Sequence, residues 1–286
     1  MKSDVSAQRP SGWTGFFFSE SDSSTLRLFE RGLAIATFLR VGFLFLHSDE
    51  WLTVSGFHLA QSDRAPLMPH AMPEVPAMLV PMIGFALIAA LLVILTREGA
   101  RWAHALLAVL FIYFFHLDPV TSSAGDALCI IGWLVLATAP PTKMGNDGHL
   151  RASNAPLRIL QISVTLFLVS RAVSLVFTDH WLQDWQTLWA LVQGPERTSV
   201  TAWMLRNFPL WLWAGIQGIW ILAQIAIPFG LWLTRFRMRY VVLALASNAL
   251  MIILFPGHWH QAVIVSVYLL LFADRERIAW PRISIS

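Results

Sequence analysis

Five histidines that could take part in chemistry lie near the ends of long apolar segments. They are His47, His116, His180, His258 and His260, and Asp49, Asp118 and Asp179 lie beside the first three. Imidazole and carboxylate together suit a metal ion or a proton relay. The same imidazoles also suit helix ends, where they stabilise the negative end of the dipole by about 0.3 to 1 kcal/mol. Only His258 and His260 are closely spaced, so the pattern favours interface packing over a metal and leaves proton transfer or substrate contact open.

Four polar side chains lie inside apolar segments rather than at their ends. They are Arg40, Arg171, Gln217 and Asn248, each seven to nine residues from one end of its segment. At 1.5 Å per residue this places them at a common depth, roughly 10 to 14 Å from that end. An arginine inside a membrane span costs about 2.5 to 3.5 kcal/mol, so it normally faces the interior of a bundle or a wet cavity.

The two guanidiniums carry more positive charge than Asp126, at the start of the fourth segment, can neutralise. This excess favours an anionic or carbonyl-bearing ligand, such as a lipid or a quinone, held by bidentate hydrogen bonds. The alternative is that the arginines snorkel toward water and form one structural ion pair with Asp126. Gln224 is a further candidate, although its position one turn before Pro228 also predicts a structural kink.

The composition of the chain indicates what class of protein holds these residues in place. The chain has 286 residues, 56% hydrophobic and 13% charged, whereas a soluble domain carries about 25% charged residues. The single cysteine, Cys129, excludes an intramolecular disulfide and a cysteine-rich metal site. These properties exclude an ordinary soluble enzyme and predict a polytopic membrane protein.

A bilayer is crossed by roughly 20 apolar residues of helix, and eight segments approach this length. They cover residues 26–47, 76–96, 102–117, 126–140, 156–178, 208–233, 239–255 and 260–272. The predicted fold is all-α: a transmembrane bundle over residues 26–273, with tails at 1–25 and 274–286. An interfacial helix is expected at 181–192, because Trp181, Trp185 and Trp189 recur every four residues. Trp203, Trp211, Trp213 and Trp259 complete a predicted aromatic belt.

The basic residues predict the orientation of these spans. One side holds 15 lysines and arginines and the other holds Arg64, Arg197 and Arg206. By the positive-inside rule the first side, which carries both termini, is cytoplasmic. The basic residues therefore need no nucleic-acid partner, and we expect a bacterial cytoplasmic membrane protein. The five histidines fall on the outer face.

The order of these elements resembles the HTTM domain family, which includes vitamin K-dependent gamma-carboxylases and SdpB-type toxin-maturation proteins. The supporting segments are LFERG at 28–32, FLRVG at 38–42, SAGD at 123–126, APP at 139–141, LQ at 160–161, the tryptophans at 181–189 and IP at 227–228. The resemblance implies a helical bundle with its working pocket on the extracytoplasmic side.

The chain departs from the carboxylases at positions that carry their chemistry. The resemblance implies an outer lysine acting as base with oxygen and a reduced quinone, but Lys2 and Lys143 are the only lysines and both are predicted to be cytoplasmic. Gln224 and Asn248 occupy positions where family members often have glutamate and histidine. Amides cannot transfer protons at neutral pH, so these departures argue against glutamate carboxylation.

Two functions of different classes follow from this pattern. The first is a non-catalytic scaffold or accessory subunit of a membrane complex, in contact with lipids and with other membrane-protein subunits. The second is a membrane enzyme acting on a lipid, quinone or peptide at the outer face. Transport is disfavoured because no inverted repeat is evident. No catalytic residue is assigned, and the ligand-binding candidates are Arg40, Arg171, Asp126, Gln217, Asn248 and Gln224.

The topology can be tested by cysteine labelling. A cysteine introduced at Ser199 should react with an impermeant thiol reagent in intact cells, whereas one at Asp147 should react only after lysis. The reason is the asymmetry of 15 basic residues against three. The reverse labelling pattern would overturn an outward-facing pocket.

Overall fold

The computed structural model describes residues 12–48, 52–53, 75–97, 100–117, 123–144, 150–177, 181–194 and 197–273. Most of them are helical, as the sequence predicts. The helices are α1 Trp13–Phe18, α2 Ser24–Leu46, α3 Val80–Thr96, α4 Arg101–Leu117, α5 Ala124–Thr138, α6 Asn154–Phe177, α7 Thr187–Leu191, α8 Ser199–Asn207, α9 Leu210–Gly230, α10 Arg237–Leu254 and α11 Trp259–Leu269. Turns of 3-10 helix precede α3 at Ala77–Leu79 and flank α11 at Pro256–His258 and Leu270–Phe272.

Each of the eight predicted apolar segments coincides with one of these helices. Four helices in the described ranges are long and apolar enough to cross a membrane: Ala77–Thr96, Asn154–Phe177, Leu210–Gly230 and Arg237–Leu254. Arg101–Leu117 and Ala124–Thr138 are apolar but shorter. These helices favour a membrane protein, while the number of eight spans and the side of the termini stay predictions.

The chain divides into two compact units. Unit 1 comprises Met1–Ser122 and Cys129–Ile162, and unit 2 comprises Ser123–Leu128 and Ser163–Ser286. In unit 1, α3 packs against both α2 and α4. In unit 2, α10 packs against α8, α9 and α11, and α7 packs against α9.

Three short strands in unit 1 form a small antiparallel sheet that the sequence reading did not predict. They are β1 Glu20–Asp22, β2 Lys143–Met144 and β3 Leu150–Ser153, in the order β1-β3-β2. Ser21 pairs with Ala152, and Lys143 pairs with Arg151. Backbone pairing satisfies the polar groups of these connectors, and it gives structure to part of the predicted N-terminal tail.

The long helices of unit 2 bury polar side chains and expose apolar ones, as α9 illustrates. Its exposed face carries Ile219, Leu222 and Phe229, which are 70%, 68% and 67% exposed. Its buried face carries Gln217 and Gln224, which are 0% and 3% exposed. A helix at the surface of a soluble protein has the opposite pattern. The reversal fits a helix surrounded by hydrocarbon, where polar groups must be satisfied inside the protein.

The segment of residues 181–194, here called the Trp181 segment, is less helical than predicted. Turns occupy residues 181–183 and 185–186, and the helix is limited to Thr187–Leu191. The carbonyls of Trp181 and Asp184 accept hydrogen bonds from the Gln217 side chain, so the first turn is held from outside rather than by its own ladder. Placing Trp213 in the aromatic belt was also wrong, because its ring is fully buried in the core of unit 2.

A close approach between α9 and α10 depends on Gly230. A Cβ atom at this position would overlap the ring of Tyr240 on α10. Glycine therefore allows the end of α9 and the start of α10 to pack in contact.

Replacing Gly230 with alanine should destabilise the protein by about 1 to 3 kcal/mol, because the Tyr240 ring must move to admit a methyl group. Thermal unfolding in detergent measures the change. Gly215→Ala in the same helix is the control: nothing lies within 4 Å of its Cβ position, and alanine favours the helix by roughly 0.5 to 1 kcal/mol. Equal melting temperatures for the two variants would contradict the proposed contact.

Candidate functional site

Unit 2 contains a cavity of about 780 Å³. Its walls come from α6, α9, α10, the Trp181 segment, the first residue of α5, and the start of α11 with the turn before it. The lining residues are Ala124, Phe167, Ser170, Arg171, Ser174, Leu175, Trp181, Thr187, Leu191, Trp220, Met251, Phe255, His258 and Gln261. A cavity of this volume, with apolar walls and a few polar groups, is typical of small-molecule sites.

Arg171 is the charged residue of this cavity. Its guanidinium carbon lies 5.6 Å from the centre of the Trp220 ring, and one of its nitrogens donates to the sulfur of Met251. Within the described part of the chain, Arg171 forms no ion pair with a carboxylate. The partners of this cation are therefore an aromatic face and a thioether.

These contacts only partly compensate for placing a charge in an apolar helix. The cost of an arginine within a span is about 2.5 to 3.5 kcal/mol. A cation–π contact contributes about 0.5 to 1 kcal/mol when exposed and about 2 when desolvated, and a thioether is a weak acceptor. An anion in the cavity would supply both the missing charge and strong hydrogen bonds.

A hydrogen-bond network fixes the ring of Trp220 beside Arg171. The Trp220 Nε1–H donates to Ser247 Oγ at 3.0 Å, and Gln224 Nε2 donates to the same oxygen at 2.6 Å. Trp181 packs edge-on against Trp220, with ring centres 5.1 Å apart. Gln224 does not line the cavity. It contributes to the site by orienting the ring that contacts Arg171.

Gln217 ties the Trp181 segment to α9. Its Nε2 donates to the carbonyls of Trp181 at 2.7 Å and Asp184 at 2.9 Å, and its Oε1 accepts from the N–H of Leu188 at 2.9 Å. All three bonds go to backbone groups of one wall of the cavity. The amide is thus used in holding that wall, and Gln217 is not among the lining residues.

Asn248 lies at a similar depth but faces a different part of unit 2. Its Nδ2 donates to Ser266 Oγ at 3.1 Å, which joins α10 to α11. It lines a separate apolar groove of about 400 Å³. Asn248 and Arg171 therefore do not meet at one site.

Asp126 forms a capping box with Ser123 at the start of α5. Its Oδ2 accepts from the backbone N–H and the hydroxyl of Ser123, both at 2.9 Å, while its own N–H donates to Ser123 Oγ at 3.3 Å. This reciprocal arrangement satisfies helix-terminal donors. Because Arg171 forms no ion pair within the described residues, Asp126 is not its partner. The spacing of Asp126 from Ser123 was a sequence signal for the cap.

The histidines are spread over separate environments. His258 lines the cavity, whereas the Nε2 of His260 lies 2.7 Å from Ser123 Oγ. His47 Nδ1 is 3.2 Å from the carbonyl of Phe43, and the His116 ring contacts Phe115. His180 lies outside the described residues, as do Asp49, Asp118 and Asp179. In the described ranges, no three His, Cys, Asp or Glu side chains converge as metal ligands.

Arg40 lies on α2 in unit 1, where its side chain is 4% exposed. Arg40 has an interaction partner there. Arg171 belongs to unit 2. The prediction that the two guanidiniums face one cavity therefore stays a prediction.

A buried ionisable cluster in unit 1 was missed by the sequence reading. Glu30 Oε1 lies 2.8 Å from His104 Nε2, and Glu30 Oε2 accepts from Arg27 Nη1 at 3.0 Å. The His104 ring stacks on Trp133, with centres 5.7 Å apart. One carboxylate thus joins α2 to α4. The partners are separated by 74 residues, so no local pattern reveals the pair.

Sequence reasoning also missed most of the surroundings of Arg171. Ser170 and Ser174 flank it on α6, and this was a readable signal because residues four apart share a helix face. Trp220 and Met251 come from other helices and resemble ordinary membrane residues. Their contact with Arg171 depends on how the helices are rotated about their axes.

Replacing Gln217 with leucine should loosen the Trp181 segment. The carbonyl of Trp181 and the N–H of Leu188 would lose their partner, at a cost of about 1 to 3 kcal/mol for each buried group left unsatisfied. The carbonyl of Asp184 keeps its bond from the Thr187 hydroxyl. Hydrogen exchange at the Leu188 amide should accelerate. Gln193→Leu is the control, because Gln193 is exposed and makes only a 3.3 Å bond to the Trp189 carbonyl. Unchanged exchange in the Gln217 variant would refute the anchoring role.

No family model, curated protein or solved structure matches this chain. Function is therefore inferred from the cavity, its guanidinium and its aromatic wall.

Proposed function

We propose that this chain is an integral membrane protein whose outward-facing cavity binds an anionic amphiphile at Arg171, and that it serves as a scaffold or accessory subunit of a membrane complex. The proposal includes an HTTM-like bundle of eight spans with both termini in the cytoplasm of a bacterium. The observation that carries it is a guanidinium inside an apolar helix, lining a cavity, with an aromatic ring and a thioether as its protein partners.

The topology is supported by the helices and by the basic residues together. Four helices are long and apolar enough to cross a membrane, and the reversed pattern of α9 fits hydrocarbon surroundings. The asymmetry of lysines and arginines orients these helices. With that orientation the C-terminal end of α6, and with it Arg171, lies toward the outer face.

The ligand class follows from the lining of the cavity. Arg171 supplies a positive charge, and none of the lining residues is a carboxylate. Phe167, Leu175, Leu191 and Phe255 supply apolar wall. A molecule that satisfies both parts has an anionic head and an apolar tail, as many membrane lipids do.

A non-catalytic role is supported by the use of the amides. Gln217 forms its hydrogen bonds with the Trp181 segment, and Gln224 donates to Ser247. Neither amide can transfer a proton at neutral pH. These two amides thus hold the shape of the cavity, which is what a scaffold requires.

A membrane enzyme acting on a lipid, quinone or peptide is the second candidate, and His258 is the observation that favours it. This imidazole lines the same cavity as Arg171, and an imidazole beside a bound anion can act as a general acid or base. If wild-type protein converts bound lipid to a product of different mass while His258→Gln does not, the enzyme is established and the scaffold refuted.

The ligand proposal is tested by replacing Arg171 with leucine and with lysine. Binding of 1-oleoyl lysophosphatidate and of oleate, followed by native mass spectrometry in detergent, should be lost in Arg171→Leu. It should be only partly retained in Arg171→Lys, because the bidentate fork is absent. Zwitterionic 1-oleoyl lysophosphatidylcholine should bind weakly to all forms.

Arg206→Leu is the matched control for loss of a positive charge. Arg206 is exposed on α8 in the same unit, and its Nε donates to the carbonyl of Ala202. This variant should bind like the wild type. If Arg171→Leu also binds both anionic probes normally, the cavity is not an anion site and the proposed function fails.

A further inference from the structure

Several hydrogen-bond donors line the Arg171 cavity without a protein partner. Within the described residues, the side chains of Ser170, His258 and Gln261 make no hydrogen bond. Thr187 differs, since its hydroxyl donates to the carbonyl of Asp184 at 2.8 Å. Three side chains besides Arg171 are therefore available to a ligand.

The number of donors distinguishes between kinds of anion. A guanidinium has five N–H donors, and serine, glutamine and histidine add at least one each. One nitrogen of Arg171 is directed to Met251, which leaves the rest of the fork. A carboxylate has two oxygens with about four acceptor sites, whereas a phosphate group adds a third strong acceptor oxygen. The donor set exceeds what a carboxylate can use.

The three free donors and the two tryptophans of the wall come from different elements. Ser170 and Arg171 are adjacent on α6, and His258 and Gln261 belong to the start of α11 and the turn before it. The apolar wall is completed by Trp181 from the Trp181 segment and Trp220 from α9. A charged head with a single apolar chain fits this division better than a free inorganic ion does.

We infer that the cavity selects a lipid with a phosphate headgroup, with Arg171, Ser170 and Gln261 binding the phosphate oxygens. This inference rests on the proposed function, because it names the class of anionic amphiphile that the same cavity takes. The apolar chain of the lipid lies against the apolar side chains of the wall, Phe167, Leu175, Leu191 and Phe255.

The test compares 1-oleoyl lysophosphatidate with oleate, two probes that share one chain and differ in the head. Wild-type protein should bind the lysophosphatidate about tenfold more tightly, because hydrogen bonds to a charged group add more than neutral ones. Native mass spectrometry in detergent measures both affinities. A Ser170→Ala, Gln261→Ala double variant should lose most of this preference while binding oleate as before.

Matched controls keep the two proposals apart. Gln193→Ala removes an exposed glutamine of unit 2 outside the cavity and should leave the preference unchanged. Equal affinity for both probes, with both lost in Arg171→Leu, would overturn the phosphate inference and leave the anion site standing. Binding of both probes that is independent of Arg171 would overturn both. Inorganic phosphate competing as well as the lysophosphatidate would show a free-phosphate site and refute the lipid.

Discussion

A polar group surrounded by hydrocarbon has no water to bond with, and this constraint determines where the buried polar side chains of unit 2 make contact. An unsatisfied amide or hydroxyl in such a place costs several kcal/mol. The Gln217 side chain forms three hydrogen bonds with one backbone segment. Asn248 donates a hydrogen bond to Ser266 on the next helix. The polar residues inside apolar helices thus join secondary-structure elements where hydrophobic attraction between helices is weak.

Arg171 meets the same constraint differently from the amides. A guanidinium has more donors than Met251 and a Trp220 ring can engage. Its remaining donors border the cavity and, in the part of the chain that the structure describes, bond to no carboxylate. The bonds of Ser247 and Gln224 fix the Trp220 ring, which contacts the cation. For the ligand proposed above, such preorganisation reduces the entropic cost of binding.

The sequence predicted the helices and the depths of their polar residues better than it predicted contacts. Depth depends only on residue count and the rise per residue, and Arg171 and Asn248 each stand six residues before their helix ends. The direction in which a side chain points depends on the rotation of its helix about the helix axis, and packing sets that rotation. Arg171 and Asn248 therefore line different cavities although each lies six residues before its helix end. The spacing of Asp126 from Ser123 is that of a capping box, so this contact was readable from the sequence. Glu30 and His104 pair across 74 residues, and no local periodicity encodes such a contact.

The anchor at Gln217 and the cation at Arg171 are linked through two tryptophans. Gln217 holds the carbonyl of Trp181, the Trp181 ring packs on Trp220, and Trp220 contacts Arg171. A ligand that stabilises Arg171 against Trp220 therefore also stabilises the Trp181 segment, and a partner that orders this segment must favour the ligand by the same free energy. In the proposed topology the segment lies at the outer surface. The contacts that link a ligand at Arg171 to the Trp181 segment are thus contained within unit 2.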